Sequence, residues 1–186
     1  MVCPSSLVTN WANEFDKWLG KASQPKRVVV KKGGQEGLRQ IKAWSNKASE
    51  VLIISYELFR MNADIFSQVQ QPVACLVVDE GHRLKNTAGS LTLTALESLP
   101  CQARLCITAT PIQNNLSDFF TIANFVCPGL LGDLASFRRE YDRPISASNN
   151  KNCSTKQHHG GLAASRRLDE ITQTFMLRRL QKDILK

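Results

Sequence analysis

Two adjacent carboxylates, Asp79 and Glu80, follow an apolar run at Cys75–Val78 and precede Gly81 and His82. Such a run is typical of a strand buried on both faces of a parallel sheet. Unpaired acids are too costly in such a core, so the pair is expected at the carboxyl end of the strand. That end is where α/β proteins place their ligands. An aspartate there suits a Mg²⁺-nucleotide, and the adjacent glutamate suits the attacking water. The alternative from these residues alone is a strand that ends in a charged turn.

Polar side chains also follow two other apolar runs. Ser55-Tyr56 comes after Val51–Ile54, and Thr108-Ala109-Thr110 comes after Arg104–Ile107. Because the carboxyl ends of parallel strands meet at one edge of a sheet, we expect both segments to lie beside Asp79-Glu80. The convergence of three polar segments indicates a functional site at that edge.

Ser5 and Ser6 precede a predicted amphipathic helix over Leu7–Leu19, with Trp11 and Trp18 among its apolar residues. Free backbone amides and serine hydroxyls at a helix N-terminus can receive a phosphate group. The simpler interpretation is that one of these serines caps the helix.

Five predicted strands alternate with helices, which predicts an α/β fold with a mainly parallel central sheet and helices on both faces. We expect one domain over residues 1–186, with an exposed, mobile loop at about 146–161 that is rich in Ser, Asn, Lys, His and Gly. The predicted strands are 2–3, 26–32, 51–54, 75–78 and 104–107. The predicted helices end near residues 19, 47, 70, 98, 126, 141 and 185.

Composition and charge limit the class of protein. The 42% apolar and 22% charged residues are ordinary for a soluble globular domain, and no apolar run approaches the roughly 18 residues that span a membrane. The six cysteines lack the close pairing of a zinc site, which favours reduced thiols and no structural metal. The net charge of +8 favours a polyanion such as nucleic acid, although a solubilising surface explains the charge equally well.

Several motifs occur in order along the chain. They are Pro4–Leu7 with Trp11, Ser55–Glu57, Asp79–Asn86, Thr110–Asn114 and, near the end, Met176–Arg179 with Lys182–Leu185. Together they resemble the first RecA-like lobe of the Swi/Snf-type ATPases, which are DNA translocases of helicase superfamily 2. The resemblance covers nearly the whole chain, and the combination of the acidic motif with Thr-Pro-Ile-Gln-Asn is highly specific. Phe125–Gly132 and Phe137–Pro144 look most like the branch that acts in recombinational repair.

The resemblance implies ATP hydrolysis, with ATP and Mg²⁺ as cofactors and a three-layer RecA-like lobe as the fold. Asp79 would bind Mg²⁺, mostly through water, and Glu80 would act on the attacking water. His82 and Gln113 would contact the nucleotide and help link its state to the opposite face of the lobe.

The resemblance also implies contacts with nucleic acid. Ser5, Ser6 and the Ser55-Tyr56 turn match motifs that contact the phosphates of a DNA strand. Thr108 and Thr110 occupy the motif that couples hydrolysis to movement, with Thr-Ala-Thr in place of the frequent Ser-Gly-Thr. The implied partners are double-stranded DNA, chromatin or recombination proteins, and a second RecA-like lobe, in the nucleus and without a membrane.

Two parts of the family pattern are missing from these 186 residues, namely the Gly-Lys-Thr phosphate loop and the second lobe. Since the triphosphate then has little to bind, we expect the isolated chain to be inactive. One alternative is a truncated, non-enzymatic remnant that binds DNA or a protein partner. Another is an RNA helicase with a similar acid box, against which Pro4–Leu7 and Thr110–Asn114 argue.

Overall fold

The computed structural model describes residues 1–19, 24–46, 50–84, 91–109, 115–150 and 152–179. Contacts divide the chain into two compact units, Met1–Val126 and Cys127–Lys186. The strands of the first unit are β1 (Val2–Cys3), β2 (Arg27–Val30), β3 (Val51–Ser55), β4 (Val73–Asp79) and β5 (Cys101–Ile107). Its helices are α1 (Val8–Leu19), α2 (Gly34–Ser45), α3 (Tyr56–Met61), α4 (Ala63–Ser67), α5 (Leu91–Ser98) and α6 (Leu116–Val126). No helix among the described residues is long and apolar enough to cross a membrane.

The five strands form one sheet in the order β2-β3-β1-β4-β5, and every pair of neighbours is parallel. The short strand β1 is central, because Val2 pairs with Ile54 on one side and with Val78 on the other. This arrangement confirms the predicted α/β fold and its parallel sheet. The alternation of strand and helix in the sequence is what requires a parallel order.

One face of the sheet carries the main core of the first unit. Val2, Val30, Ile54 and Val78 are at most 1% exposed there and pack against apolar residues of the following helices. Phe59 of α3 and Phe66 of α4 stack with ring centroids 4.1 Å apart, and both are nearly inaccessible to solvent. The other α-helical residues of this core are Ile41, Tyr56, Ala95, Leu96 and Phe125.

The opposite face is covered over only part of the sheet by described residues. Helix α1 packs on Cys3 and Ile53 through Val8 and its half-buried neighbours. Towards β4 and β5, however, Cys75 is exposed, and Leu105 and Ile107 are 50% and 38% exposed. The prediction that Cys75–Val78 is buried on both faces is therefore wrong at its first residue. A continuous apolar run predicts that both faces of the strand are apolar, but it does not predict which elements cover each face.

The amphipathic helix predicted from Leu7 also differs in detail from the observed one. Residues Ser5–Leu7 form a short 3₁₀ turn, and α1 begins at Val8. Trp18 is 73% exposed and donates its indole N–H to Glu14, so it lies outside the packed face. Trp11 is half-buried and does belong to that face.

The second unit is helical in its described part. It contains α7 (Leu134–Phe137), a π-helical turn at Arg138–Asp142, α8 (Arg143–Ser148) and α9 (Thr155–Thr172). Phe137 and Ala164 are fully buried, and Leu168 is nearly so. Asp133 starts α7 by accepting a hydrogen bond from the backbone N–H of Ser136.

The expectation of a loop at about 146–161 is wrong, because α8 and the first turns of α9 occupy most of that range. A capping box starts α9, in which the Ser154 side chain accepts from the Gln157 N–H and the Gln157 side chain accepts from the Ser154 N–H. Gly161 allows close packing on α8, since a Cβ there would lie 2.2 Å from the Ser148 side chain. Glycine and polar residues predict a loop by composition, but here they serve a cap and a helix contact.

Candidate active site

The carboxyl ends of the strands lie level at one edge of the sheet. Cys3 pairs with Ser55, while Val2 pairs with Val78, and Asp79 pairs with Ile107. The residues that follow each strand therefore emerge side by side, as the sequence predicted. Asp79-Glu80 lies between the turn at Ser5 and the segment that begins at Thr108.

Asp79 is the most confined acid of this edge, with 8% of its surface exposed. Its Oδ2 accepts a hydrogen bond from the indole Nε1 of Trp11 at 2.8 Å. Its Oδ1 accepts from the backbone N–H of Glu80, also at 2.8 Å. The backbone oxygen of Asp79 accepts a third bond, from the Tyr56 hydroxyl at 2.6 Å. Both the carboxylate and the peptide of Asp79 are thus held in one orientation.

Glu80 has a left-handed backbone with φ of +54°, which is rare for a residue other than glycine. Its side chain is 36% exposed, so the carboxylate is accessible from solvent. Oε2 lies 3.2 Å from Nδ1 of His82, within ion-pair distance of a protonated ring, but the geometry makes no hydrogen bond. A strained, half-exposed carboxylate beside a held aspartate is an arrangement often found where chemistry occurs.

Gly81 brings the turn after Glu80 into direct contact with β5. A Cβ at this position would lie 2.0 Å from Sγ of Cys106, which no side chain tolerates without movement. Gly81 begins a 3₁₀ turn that ends at Leu84, whose side chain is fully buried. The described part of the segment after the acids is therefore anchored to the core by Leu84.

Ser55 and Tyr56 both make internal contacts. The Ser55 side chain caps α3 by accepting from the backbone N–H of Leu58 at 3.2 Å, and both residues are 3% exposed. Burial, chiefly, raises the pKa of the Tyr56 hydroxyl well above its usual range, so it remains a donor to Asp79. This geometry makes the two side chains supports of the acid pair rather than accessible groups.

An ion pair between Arg83 and Glu57 lies beside the Tyr56 ring. Arg83 donates to Oε1 of Glu57 at 3.1 Å, and its guanidinium lies 5.2 Å from the Tyr56 ring centroid. Burial acts to raise the pKa of Glu57, but its own backbone N–H, the Ser55 hydroxyl and Arg83 together lower it below its usual value. The turn after the acids is in this way tied to α3.

Ser5 and Ser6 are exposed in the turn before α1. The turn is closed by a backbone hydrogen bond from the Leu7 N–H to the Pro4 oxygen at 2.9 Å, without a side-chain cap. The capping interpretation is therefore wrong for this turn. Both hydroxyls remain available to a ligand, since neither bonds to another described residue.

The remaining predicted site residues lie partly outside the described residues. Thr108 is half-buried and directly follows β5, one residue after the partner of Asp79. Thr110 and Gln113 fall within 110–114, which the structure does not describe. Of the two residues predicted to couple hydrolysis to movement, the structure thus places Thr108 at the same edge.

The described part of the chain contains no group of three or more His, Cys, Asp or Glu residues that would enclose a metal ion. Asp79 nevertheless suits Mg²⁺, because each of its carboxylate oxygens accepts one hydrogen bond and retains lone-pair capacity. Mg²⁺ in nucleotide sites takes one or two carboxylates and fills its other positions with water and phosphate. The residues present fit that kind of site, in which the protein supplies few ligands.

A wide cleft of about 960 Å³ lies at the opposite edge of the sheet, among residues before the strands such as Lys26, Glu50 and Pro72. It is larger than the hollow of about 190 Å³ lined by Tyr56, Glu57 and Arg83, yet its lining includes none of the predicted site residues. Ligands of parallel sheets bind at the carboxyl ends of strands. We therefore place the candidate site at Asp79-Glu80.

Sequence reasoning missed the contact of Trp11 with Asp79, which joins residues 68 positions apart. A signal for it existed. An indole on the inward face of a helix needs an acceptor for its N–H, and a buried carboxylate needs a donor.

Comparisons with known proteins show the family of the chain. A family model described as the SNF2-related domain matches residues 1–186. The chain is 43% identical over 196 residues to the DNA repair and recombination protein RAD54 of Saccharomyces cerevisiae, covering 100% of this chain and 21% of that protein. It is 40% identical over 187 residues to the DNA repair and recombination protein RAD54B of Homo sapiens, covering 100% of this chain and 20% of that protein. The chain thus spans about a fifth of the length of these relatives.

A solved structure supports the fold. The Sulfolobus solfataricus SWI2/SNF2 ATPase core in complex with dsDNA matches with a TM-score of 0.71 at 24% identity, over 96% of this chain and 32% of that one. The resemblance inferred from the motifs is confirmed, including its recombination-repair branch, by the two relatives named above. Because the family model matches the whole chain, this chain belongs to the SNF2-related domain family.

Proposed function

We propose that this chain is part of an ATP-driven translocase on double-stranded DNA that acts in DNA repair and recombination. The single observation that supports this most is the Asp79-Glu80 pair, held at the carboxyl edge of a parallel sheet. Relatives bearing RAD54 names give the repair context, and the matching solved structure is a complex with dsDNA. Nuclear action on chromatin or recombination proteins follows from that context.

In this proposal ATP and Mg²⁺ bind at the acid edge. Asp79 holds the Mg²⁺ shell, since its carboxylate is confined and oriented. Glu80 orients and deprotonates the attacking water, since its carboxylate is accessible while its backbone is fixed. His82 contacts the Glu80 carboxylate, and Gln113 completes the nucleotide contacts.

DNA phosphates bind along the turns that follow β1 and β3. The exposed hydroxyls of Ser5 and Ser6 suit direct phosphate contact. Ser55 and Tyr56 shape the second turn from within, so that its backbone rather than its buried side chains faces DNA. Thr108 and Thr110 couple this track to the acids, and a second RecA-like lobe completes the motor.

The test is duplex-stimulated ATP hydrolysis by the full-length protein and by its Glu80→Gln variant. A general base contributes roughly 10²–10⁴-fold, so the variant is expected to lose at least about 100-fold in kcat while it still binds nucleotide. Glu36→Gln, which changes an exposed glutamate that pairs with Arg39 and Gln40, is the matched control and should keep the wild-type rate.

Wild-type hydrolysis in Glu80→Gln would refute the assignment of the base. Absence of any duplex-stimulated hydrolysis in the full-length protein would favour the second candidate, a non-enzymatic segment that binds DNA or a protein partner. Stimulation by RNA but not by duplex DNA would instead indicate an RNA helicase.

A further inference from the structure

Helix α1 reaches the acid pair through one side chain. The indole N–H of Trp11 donates to Oδ2 of Asp79 at 2.8 Å, across 68 positions of sequence. A hydrogen bond from a neutral donor to an ionised carboxylate is shorter and stronger than one between neutral groups. Since Asp79 is only 8% exposed, water competes little for this oxygen. The bond therefore fixes the direction in which Oδ2 points.

Trp11 is itself held in place. It packs with Cys3, Val8 and Ile53, on the face of the sheet that α1 covers. One residue further along α1, the backbone oxygen of Ala12 accepts a hydrogen bond from Arg27 of β2 at 2.9 Å. The donor thus lies on a helix that is packed against the sheet, so a shift of α1 would move the indole relative to the carboxylate.

Trp11 lies between the turn proposed to contact DNA and the acid pair proposed to act in hydrolysis. Helix α1 directly follows the exposed turn that carries Ser5 and Ser6, and Trp11 lies at the end of the first turn of that helix. Tyr56, which directly follows β3, donates its hydroxyl to the backbone oxygen of the same aspartate at 2.6 Å. Each of the two turns proposed to contact DNA phosphates is therefore linked to Asp79 by a hydrogen bond, one from Trp11 and one from Tyr56.

We propose that Trp11 is a positioning residue for Asp79. Its hydrogen bond orients the Asp79 carboxylate to bind Mg²⁺, and it transmits DNA contact at Ser5–Leu7 to the acid pair. This inference rests on the proposed function and deepens it. Groups that hydrogen-bond a metal-ligating carboxylate orient it, and their loss costs roughly 10–100-fold in metal affinity or activity. An indole that only filled the core would contribute to stability and leave the dependence on Mg²⁺ unchanged.

The experiment uses the full-length protein with Trp11→Phe, which keeps an aromatic ring and removes the N–H. Trp18→Phe is the matched control, because Trp18 lies on the same helix, donates only to Glu14 and is 73% exposed. Three quantities are measured: the Mg²⁺ concentration for half-maximal duplex-stimulated hydrolysis, the Mg²⁺ midpoint for binding of a fluorescent ADP analogue without turnover, and the ratio of duplex-stimulated to basal hydrolysis.

For Trp11→Phe we expect both Mg²⁺ midpoints to rise about tenfold or more, with a smaller ratio of duplex-stimulated to basal hydrolysis. Trp18→Phe should match the wild type in both Mg²⁺ midpoints and in the ratio of duplex-stimulated to basal hydrolysis. If Trp11→Phe does not fold, a β-(3-benzothienyl)alanine at position 11 keeps the shape of the ring and replaces only the N–H, and the same shifts are expected.

Mg²⁺ midpoints and stimulation ratios within twofold of wild type, in whichever substituted protein folds, would overturn the inference. A lower melting temperature with unchanged Mg²⁺ midpoints would assign Trp11 a purely structural role. These outcomes differ from failure of the proposed function, in which the wild type shows no duplex-stimulated hydrolysis or Glu80→Gln retains it.

Discussion

The contact between Gly81 and Cys106 allows a stability prediction whose size follows from the structure. In Gly81→Ala the new Cβ would lie 2.0 Å from Sγ of Cys106, whereas nonbonded atoms rest at about 3.5–4.0 Å. Overpacking of this kind costs about 1–3 kcal/mol, and we expect a loss of about 2 kcal/mol in the free energy of unfolding.

A second substitution separates this overlap from other effects. In Cys106→Ala the sulfur is absent, and the next atoms around the new Cβ are Cβ of residue 106 and the oxygen of Ile107, both at 3.7 Å, which is ordinary contact. In that background Gly81→Ala should be neutral or raise stability by about 0.4–1 kcal/mol, because alanine restricts the unfolded chain. The expected coupling free energy between the two positions is therefore about 2 kcal/mol or more.

The assay is urea denaturation of the SNF2-related domain in the four variants of this double-mutant cycle. A coupling of about 2 kcal/mol would confirm that Gly81 is required by the approach of β5. Additivity within about 0.5 kcal/mol would show that the turn after Glu80 moves away freely, and the argument from close contact would be wrong.

Two further predictions concern the same edge. The backbone of Glu80 is left-handed, with a φ of +54°. Glycine avoids the backbone strain of roughly 1–2 kcal/mol that alanine keeps there, and this gain exceeds the conformational-entropy cost of glycine, so Glu80→Gly should be about 0.5–1 kcal/mol more stable than Glu80→Ala. Equal melting temperatures of the two variants would contradict the strain at position 80. Burial, with Asp79 nearby, raises the pKa of the Cys106 thiol from its ordinary value of 9.0 to about 11. A raised folded-state pKa adds stability that is present below pH 9 and lost as pH rises through 11. Melting temperatures from pH 8 to 11.5 should therefore fall more in the wild type than in Cys106→Ala, and parallel curves would contradict this.

Much of the fold followed from local pattern. Short runs rich in apolar residues, separated by segments with helical periodicity, predicted all five strands and their parallel direction. Polar residues after three of the runs then had to share one edge, and the register of Asp79 with Ile107 confirms it. These features were predictable because strand period, chain direction and the cost of burying a charge act over short segments.

Other features depended on which elements meet in space. The sequence could not show that Trp11 faces Asp79 while Trp18 faces solvent, or that Cys75 is an exposed residue of β4. It also predicted a loop at about 146–161, where a capping box at Ser154 and contact at Gly161 produce helix. Composition alone does not distinguish a glycine that loosens a chain from one that lets two helices touch.

The sequence by itself therefore determined the strands of the sheet, their parallel direction and the edge where the acids emerge, since each depends on local spacing and on solvation cost. Tertiary structure decided what holds those acids: an indole from α1 on the carboxylate, a tyrosine from α3 on the peptide, and a glycine against β5. The physical reason is that a hydrogen bond or a close contact between distant segments exists only after the backbone has brought the two groups together.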